Sequence, residues 1–325
     1  MSIILSIVVP TYNVEKFIGK CASSILSQIT ENVEVIFIND CSTDNSEKIL
    51  FETIEQYPDL SNQIRVIRTS SNSGIAAVRN LGIQLANGDY IYQIDGDDYW
   101  EKFSLIELIN ILHNENPDVV IFDYYINSNK KKIRIENGYK IKSIFLNSLL
   151  SGKISPSIWN KIFKKNIVVS NNLKFNNGRD YGEDYFFVPQ LIDKSNKIYC
   201  MDIVIYNYNI DMTFSYTKGI SEKKVKDLKY NIDALKKYFK GDEIHLINVA
   251  CINKICDFIW KVKSVNDLFL LQRIFGVVEG GNVLSSKYSF LDKIIYKLYT
   301  LNFMFFLYVI VEIRKFLQII KKNFK

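Results

Sequence analysis

The chain has 325 residues, of which 48% are hydrophobic and 23% are charged. This composition is typical of a folded globular protein and excludes intrinsic disorder. The chain has two histidines, and its five cysteines form no C-x-x-C pair, so a zinc site or a Ser-His-Asp hydrolase has almost no residues to draw on. An odd number of cysteines is typical of reduced thiols in a cytosol.

The net charge of +6 is unevenly distributed along the chain. Residues 1–220 contain 22 basic and 25 acidic residues, a net charge of −3. Residues 221–325 contain 19 basic and 10 acidic residues, a net charge of +9. This asymmetry predicts an acidic partner for the C-terminal third of the chain.

Short apolar runs rich in β-branched residues recur at intervals too wide for hairpins, and they predict strands at 5–10, 33–40, 64–68, 90–95 and 118–123. The stretches between them carry apolar residues at i, i+3 and i+4, which predicts helices. Asp44 and Glu47 resemble a capping box at the start of the second helix. This alternation predicts an α/β fold with a mostly parallel nucleotide-binding sheet flanked by helices.

Polar segments follow the first, second and fourth predicted strands, at residues 10–13, 39–44 and 95–98. In parallel sheets ligands bind outside the carboxyl ends of the strands, so these segments should lie on one edge of the sheet. The chain has no G-x-G-x-x-G after its first strand and no G-x-x-x-x-G-K-[ST] loop. A Rossmann dehydrogenase and a P-loop NTPase are therefore excluded.

Residues 221–325 are predicted to form a separate basic helical region after a first domain at 1–220. Within that region Leu298–Val311 is an uncharged run of 14 residues with lysine and arginine on both sides. A spanning helix needs roughly 20 apolar residues, so this run is too short. It predicts either a helix lying in an anionic membrane interface, or a buried helix of a small domain, or half of a dimer contact.

Three carboxylates, Asp95, Asp97 and Asp98, follow the fourth predicted strand within four positions. Aspartate and glycine are common in surface turns, so the cluster alone is also consistent with an ordinary turn. Carboxylates so close together repel one another unless a cation offsets their charge. Mg²⁺ and Mn²⁺ are held by one or two carboxylates together with phosphate oxygens, which predicts a site for a metal and a diphosphate.

Several motifs occur together in a characteristic order: LSIVVPTYN, VIFINDCSTDNS, NSGIAAVRNLGI, GDYIYQIDGDD and GEDYFF. In this respect residues 3–215 resemble family 2 glycosyltransferases with the GT-A fold, of the bacterial surface-polysaccharide type. The resemblance implies that Asp40 accepts a hydrogen bond from the uracil ring of a UDP-sugar, in a pocket lined by Thr11 and Tyr12. The alternative for Asp40 is a cap of the next helix. The full donor-binding set implied is Pro10, Thr11, Tyr12, Asp40, Asn72, Arg79, Asp95 and Gly96.

By the same resemblance, Arg79 lies near the diphosphate or the donor sugar, although a surface arginine on a helix is an alternative. Asp97 and Asp95 are the implied ligands of Mn²⁺ or Mg²⁺. Asp98 is placed on the sugar side of the site and is assigned, with Trp159, to acceptor binding. For Trp159 a place in the hydrophobic core is an equal alternative.

The resemblance also implies that Asp184 is the catalytic base that takes the proton of the acceptor hydroxyl. Its neighbour Glu183 either orients the site or competes for that role. Burial beside apolar side chains would raise the basicity of either carboxylate. The alternative is a helix N-terminus, where acidic residues are favoured by the helix dipole. Downstream, the stretch 206–216 carries Asn209 where the family usually has an arginine.

We therefore predict an inverting, metal-dependent glycosyltransferase, a hexosyltransferase that moves a single sugar from a UDP-sugar to a hydroxyl of a lipid-linked glycan in capsule or other cell-surface polysaccharide synthesis. Its expected location is the cytoplasmic face of the inner membrane, and no nucleic acid partner is expected. One alternative is a sugar-1-phosphate nucleotidyltransferase, whose usual Gly-rich loop is missing after the first strand. The other is a catalytically silent nucleotide-binding scaffold of a membrane assembly complex.

Overall fold

The structure, a computed structural model, describes residues 3–102, 105–128, 131–137, 141–209, 219–278 and 290–323. It divides into two compact units. The first consists of Met1–Leu146 and Pro156–Ser215, and the second of Asn147–Ser155 and Tyr216–Lys325. All of the predicted site residues belong to the first unit. The assignment of domains to residues 1–220 and 221–325 stays a prediction.

The described strands are β1 (Leu5–Thr11), β2 (Val33–Asn39), β3 (Ile64–Arg68), β4 (Tyr90–Gln93), β5 (Tyr99–Trp100), β6 (Val119–Ser128), β7 (Lys131–Ile135), β8 (Lys161–Lys164) and β9 (Ile198–Asn209). The helices up to β9 are α1 (Ile18–Leu26), α2 (Ser46–Ile54), a short 3₁₀ helix (Pro58–Leu60), α3 (Ile75–Leu85), α4 (Leu105–Asn114), α5 (Lys142–Leu150), α6 (Lys165–Ser170) and α7 (Glu183–Lys194). The C-terminal helices are α8 (Glu222–Tyr238), α9 (Asp242–Ile259), α10 (Val265–Phe275), α11 (Phe290–Thr300) and α12 (Met304–Asn323).

The described strands form a single sheet in the order β3-β2-β1-β4-β8-β6-β9-β5, with β7 paired to β6. The first four strands of this order are parallel, which fits the alternation of strands and helices in that part of the sequence. Strand β8 is antiparallel to both β4 and β6, whereas β9 runs parallel to β6. Every residue of β1 and β2 is buried, as expected for strands covered on both faces.

The three predicted N-terminal helices are present as α1, α2 and α3, but the predicted capping box of α2 is wrong. The residue at the cap position is Asn45, and its side chain makes no capping hydrogen bond. Instead, Asp44 Oδ1 accepts hydrogen bonds from the backbone N–H and the hydroxyl of Ser46. Glu47 forms an ion pair with Arg68 on β3 and so does not reach back to the cap.

The three polar segments lie on one edge of the sheet because the strands that carry them are parallel neighbours. Thr11 at the end of β1 is opposite Asn39 at the end of β2, and Val8 of β1 is opposite Gln93 at the end of β4. Side chains at 10–13, 39–44 and 95–98 therefore leave the sheet at the same edge, as the strand pattern predicts.

In the second unit, the uncharged run Leu298–Val311 is divided between two helices. Helix α11 ends at Thr300, and α12 begins at Met304. Within the described part of the chain, every helix is too short or too polar to cross a lipid bilayer.

Candidate active site

The acidic turn after β4 is packed directly against the end of β1. Oxygen atoms of Asp95, Asp97 and Asp98 all lie within 4.8 Å of one another. The turn is closed by a hydrogen bond of 3.1 Å from the Asp98 N–H to the Asp95 carbonyl oxygen. A side chain at Gly96 would place its Cβ 2.8 Å from the carbonyl oxygen of Pro10, so only glycine allows this approach.

The carboxylate of Asp98 is buried and is held on both of its oxygens. Tyr206 donates its hydroxyl to Oδ2 at 2.6 Å, and the backbone N–H of Asn209 donates to Oδ1 at 2.8 Å. The Asn209 side-chain amide also donates to the carbonyl oxygen of Asp97 at 3.1 Å. Asn209 therefore supports the acidic turn at the position where the family usually has an arginine. The role of Asp98 in acceptor binding stays a prediction.

The indole of Trp159 is 7% exposed and belongs to the hydrophobic core. It stacks on the ring of Tyr206 at 4.5 Å between centroids and on Tyr208 at 5.4 Å, and its edge meets Tyr124. The core alternative thus describes where this residue lies, and contact with an acceptor stays a prediction. Through Tyr206 the stack fixes the hydroxyl that holds Asp98.

We expect Tyr206→Phe to lower kcat/KM about tenfold and to raise the Mn²⁺ concentration needed for half-maximal activity. The substitution keeps the ring on Trp159 but removes the donor to Asp98 and the acceptor of the Asp95 N–H. Removing one hydrogen-bond donor from a buried carboxylate costs about 1–3 kcal/mol of stability, and we expect this loss to make the acidic turn less rigid. The measurement is steady-state UDP release over a metal titration.

The matched control is Tyr208→Phe, which also keeps its ring on Trp159 but leaves both hydrogen bonds to Asp98 in place. Its activity and metal requirement should stay close to those of the unmodified chain. Equal metal requirements in the two variants would show that the Tyr206 hydroxyl does not position the acidic turn.

The acidic turn suits a hard divalent cation. Burial, and next the charge of Asp95, raise the pKa of Asp97 to about 7. A bound cation would relieve this repulsion, and carboxylate oxygens are the ligands that Mg²⁺ and Mn²⁺ prefer. Because both oxygens of Asp98 accept internal hydrogen bonds, Asp95 and Asp97 are the residues that would hold the metal.

Arg79 connects the acidic turn to the acid pair of α7, and the surface alternative for this residue is wrong. The side chain is only 3% exposed. Its Nη2 lies 3.0 Å from Asp95 Oδ1 and 3.8 Å from Glu183 Oε1, and its Nε lies 3.9 Å from Asp184 Oδ1. Burial lowers the pKa of Arg79, but the three carboxylates outweigh it and raise the pKa above its ordinary value.

Glu183 and Asp184 form the first turn of α7, where the helix dipole favours negative charge. Asp184 Oδ2 accepts the N–H of Ile158 at 3.1 Å. Asp184 Oδ1 is buried and has no hydrogen-bond partner among the described residues, so one oxygen of this carboxylate remains available. The helix N-terminus alternative and the catalytic assignment therefore apply to the same two residues, and the first does not exclude the second.

The two carboxyl groups of this pair are electrostatically different. Burial, and next the charge of Asp184, raise the pKa of Glu183 to about 8. Burial also raises the pKa of Asp184, while Arg79 and the Ile158 hydrogen bond oppose that shift. A pKa of about 8 keeps Glu183 mostly protonated near neutral pH, and the cation of Arg79 favours the charged form of Asp184.

Lys161 is a buried cation close to this pair, and the sequence analysis assigned it no role. Its amine donates to the Ser157 carbonyl oxygen at 2.6 Å and to Asn160 Oδ1 at 2.7 Å. Burial lowers the pKa of Lys161 to about 7, and the charge of Asp184 works against that shift. The sequence signal is the run Trp159-Asn160-Lys161, in which only the tryptophan was singled out.

Asp40 is 4% exposed, and its carboxylate organises the loop before α3. It accepts hydrogen bonds from the Thr69 hydroxyl, the Ser73 N–H and hydroxyl, and the Gly74 N–H, all at 2.8–3.1 Å. The alternative that Asp40 caps the next helix, α2, is wrong, because it holds the approach to α3 instead. Recognition of uracil by Asp40 stays a prediction, and it would have to share these oxygens or displace Ser73.

The other predicted donor residues are placed differently from one another. Thr11 is buried, whereas Tyr12 is 45% exposed and Asn72 is also exposed. Asn13 fixes the loop that carries Tyr12, because its Oδ1 accepts the Thr43 N–H at 2.9 Å. The guanidinium of Arg79 thus gathers the carboxylates of Asp95, Glu183 and Asp184. Asn72 makes no contact with this group among the described residues.

Comparisons with known proteins point to one family. Residues 6–167 match the family described as Glycosyl transferase family 2. The chain is 26% identical over 291 residues to the putative glycosyltransferase EpsH of Bacillus subtilis, covering 84% of this chain and 82% of EpsH. It is 26% identical over 264 residues to poly(ribitol-phosphate) beta-N-acetylglucosaminyltransferase TarP of Staphylococcus aureus, covering 79% of this chain and 72% of TarP.

The fold is also similar to a solved structure. Residues 1–349 of S. aureus TarS, crystallised in complex with UDP-GlcNAc, superimpose with a TM-score of 0.66 at 18% identity, covering 95% of this chain and 90% of that one. These findings confirm the predicted α/β fold of GT-A type. The chain belongs to glycosyl transferase family 2, and it is a glycosyltransferase.

Proposed function

We propose that this enzyme transfers a single sugar from a UDP-sugar to a hydroxyl group of a glycan, with inversion at the anomeric carbon and with a divalent metal. The observation that carries the proposal is the arrangement around Arg79. The guanidinium lies within 4 Å of the acidic turn and of the acid pair. The acidic turn, which would bind the diphosphate, and the acid pair, which would face the acceptor, are therefore close enough for one sugar to lie between them.

In this proposal Asp184 is the catalytic base. The acceptor O–H gives its proton to Asp184 Oδ1, the buried oxygen that has no hydrogen bond among the described residues. As the acceptor oxygen bonds to the anomeric carbon, the bond from that carbon to the diphosphate breaks, and its electron pair leaves with UDP. Attack from the side opposite the diphosphate inverts the anomeric centre, through an oxocarbenium-like transition state.

Arg79 favours the ionised form of Asp184 before the proton is transferred, because its guanidinium is the strongest influence that opposes the rise in the pKa of that carboxyl. Glu183, protonated near neutral pH, adds no second negative charge beside the base. Asp95 and Asp97 would hold Mn²⁺ or Mg²⁺, which when bound neutralises the charge that develops on the diphosphate.

The donor and acceptor classes rest on the relatives. TarS was crystallised with UDP-GlcNAc and with UDP, which supports a UDP-sugar as donor for this chain. TarP is a poly(ribitol-phosphate) beta-N-acetylglucosaminyltransferase, which supports a hydroxyl of a sugar or polyol polymer as acceptor. We place the reaction at the cytoplasmic face of the membrane, on a lipid-linked acceptor, because UDP-sugars and a growing surface glycan would meet there.

The test is a panel of UDP-glucose, UDP-galactose, UDP-N-acetylglucosamine and GDP-mannose, each with Mn²⁺, Mg²⁺ or EDTA and scored for nucleotide release. We expect UDP release that requires metal and that falls at least about 100-fold in Asp97→Asn, because the variant loses a ligand carboxylate. A reaction with GDP-mannose alone would contradict the UDP assignment and the role given to Asp40.

The control for this test is Asp123→Asn. Asp123 is a buried carboxylate of the same unit, paired with Arg134 at 2.6 Å and located on β6 outside the acidic turn. Its loss should lower stability without changing the metal dependence of UDP release. If Asp97→Asn and Asp123→Asn keep the same metal-stimulated rate, the metal ligands proposed here are wrong.

A further inference from the structure

Helix α12 has two apolar faces, and only one of them is packed. Met304, Leu307 and Val311 are at most 1% exposed and hold the helix in the second unit. A second set of large apolar side chains is 51–71% exposed, and it consists of Phe305, Phe306, Val309, Ile313, Phe316 and Leu317. We call this set the outer stripe of α12.

The outer stripe is continuous and carries no charge. At 3.6 residues per turn its six members fall within an arc of about 120°, on the side of the helix away from Leu307 and Val311. Among the described side chains of α12, the charged ones (Glu312, Arg314 and Lys315) all lie outside that arc. Phe269 of α10, 42% exposed, extends the stripe through an edge-to-face contact with Phe305 at 6.2 Å.

The part of the sequence that contains the stripe is basic. Residues 290–325 contain seven lysines and arginines against two acidic residues. One of those acids, Glu312, is neutralised by Lys315 at 2.7 Å. Lys293 and Lys297 on α11 are exposed. An uncharged apolar stripe within a part of the sequence rich in lysine and arginine matches the boundary of an anionic bilayer, where acyl chains meet negative headgroups.

We propose that the outer stripe of α12 is a lipid-binding face that lies in the surface of an anionic membrane. A second copy of the chain is the other occupant that an apolar face could bind. Its own outer stripe would bring an equal excess of positive charge to the same place, and like charges repel, whereas an anionic lipid surface supplies the opposite charge. The packed face holds the helix in its unit. The outer stripe can therefore enter the lipid while the helix and its unit stay folded.

The test is sedimentation of the full chain with vesicles of phosphatidylcholine, with and without phosphatidylglycerol. We expect binding to the anionic vesicles, weakened by salt, and a loss of at least about tenfold in partitioning for the triple variant Phe305→Ser/Phe306→Ser/Phe316→Ser. A second variant, Val309→Ser/Ile313→Ser, should lose binding in the same direction. Thermal unfolding of each variant, followed in solution, checks that the fold is retained.

The matched control is Phe51→Ser/Ile106→Ser/Val169→Ser, which replaces three exposed apolar side chains of the first unit that are 46–66% exposed. This control should bind vesicles like the unmodified chain. Vesicle binding that the stripe variants do not change would overturn the proposal, as would an unmodified chain that stays in solution with anionic vesicles. The proposal would also be overturned if the unmodified chain does not bind vesicles and light scattering shows that it is a dimer which the stripe variants convert to a monomer. None of these measurements depends on a donor sugar, so the proposal can fail independently of the proposed function.

Discussion

We expect Asp184→Asn to reduce the rate of sugar transfer about 10³-fold while the fold and donor binding are retained. Asparagine keeps the size of the side chain and can still accept the N–H of Ile158, but it cannot take a proton from an acceptor hydroxyl. The loss should appear in kcat, since the base acts in the transition state more than in donor binding. The measurement is single-turnover transfer together with the affinity for UDP.

The control is Glu183→Gln, and it decides between the two acids of α7. The raised pKa of Glu183, about 8, means that this carboxyl is protonated near neutral pH, and glutamine resembles its protonated form. We therefore expect Glu183→Gln to keep activity within about tenfold of the unmodified enzyme at pH 7. If Glu183→Gln loses as much activity as Asp184→Asn, the base has been assigned to the wrong residue.

The pH profile gives an independent check of the same assignment. A base is active only when ionised, and burial raises the pKa of Asp184, so kcat should fall on the acid side at a higher pH than an ordinary aspartate would give. Glu183→Gln should leave this acid limb in place and should remove any change in rate near pH 8. A limb at the pKa of an exposed aspartate would show that Asp184 is not the buried base.

The sequence predicted the parts of the fold that depend on local pattern. The apolar runs of β1 and β2 and the helical spacing of α3 are visible without tertiary contacts, since burial on both faces requires unbroken apolar residues. The parallel order of these strands then brought the ends of β1, β2 and β4 to one edge. For this reason the segments at 10–13, 39–44 and 95–98 could be placed at one edge from the sequence, whereas Arg79 was placed near them only by the resemblance to the family.

The parts of the site that could not be predicted from the sequence are contacts between residues far apart in the chain. Tyr206 reaches Asp98 across 108 positions, and Asp180 accepts the N–H of Ala76 across 104 positions. In neither pair does the sequence around one residue predict its contact with the other. Gly74 illustrates the limit, because its φ is +85° and the Asp180 carboxylate lies 2.4 Å from where a Cβ would be, a contact that no local pattern predicts.

The hydrogen-bond partners of the buried carboxylates were also not predicted. The family resemblance implied ligand contacts for Asp40 and Asp98, which stay predictions, and the structure adds that both carboxylates accept hydrogen bonds from neighbouring loops. The physical reason is general, since a buried carboxylate needs several donors and takes the nearest ones. The buried oxygen of Asp184 that has no hydrogen bond among the described residues is visible only in the three-dimensional structure.

The largest effect on stability is expected from Arg79→Met, which should lower the free energy of unfolding by about 3–5 kcal/mol at pH 8. Methionine fills much of the same volume but removes the cation shared by Asp95, Glu183 and Asp184. Three carboxylates would then face one another in a site where two of them are already buried enough to have raised pKa values. The measurement is urea unfolding followed over a range of pH.

The pH dependence of this loss distinguishes an electrostatic cause from a packing defect. Without the guanidinium the pKa values of Glu183 and Asp184 in the folded state rise further above those in the unfolded chain, so the folded state binds more protons. Stability then falls as pH increases, and the loss caused by Arg79→Met should shrink as the pH is lowered toward 5. A packing defect would give the same loss at every pH.

The matched control is Arg68→Met, which removes an arginine of the same unit from an ion pair with Glu47. The Arg68 side chain is 45% exposed and that of Glu47 is 32% exposed, so water screens the pair and its loss should cost at most about 1 kcal/mol with little dependence on pH. Equal losses in the two variants would mean that Arg79 is an ordinary packed residue. A larger loss that grows with pH would show that the arginine is what allows the acid pair of α7 and the acidic turn to be buried side by side.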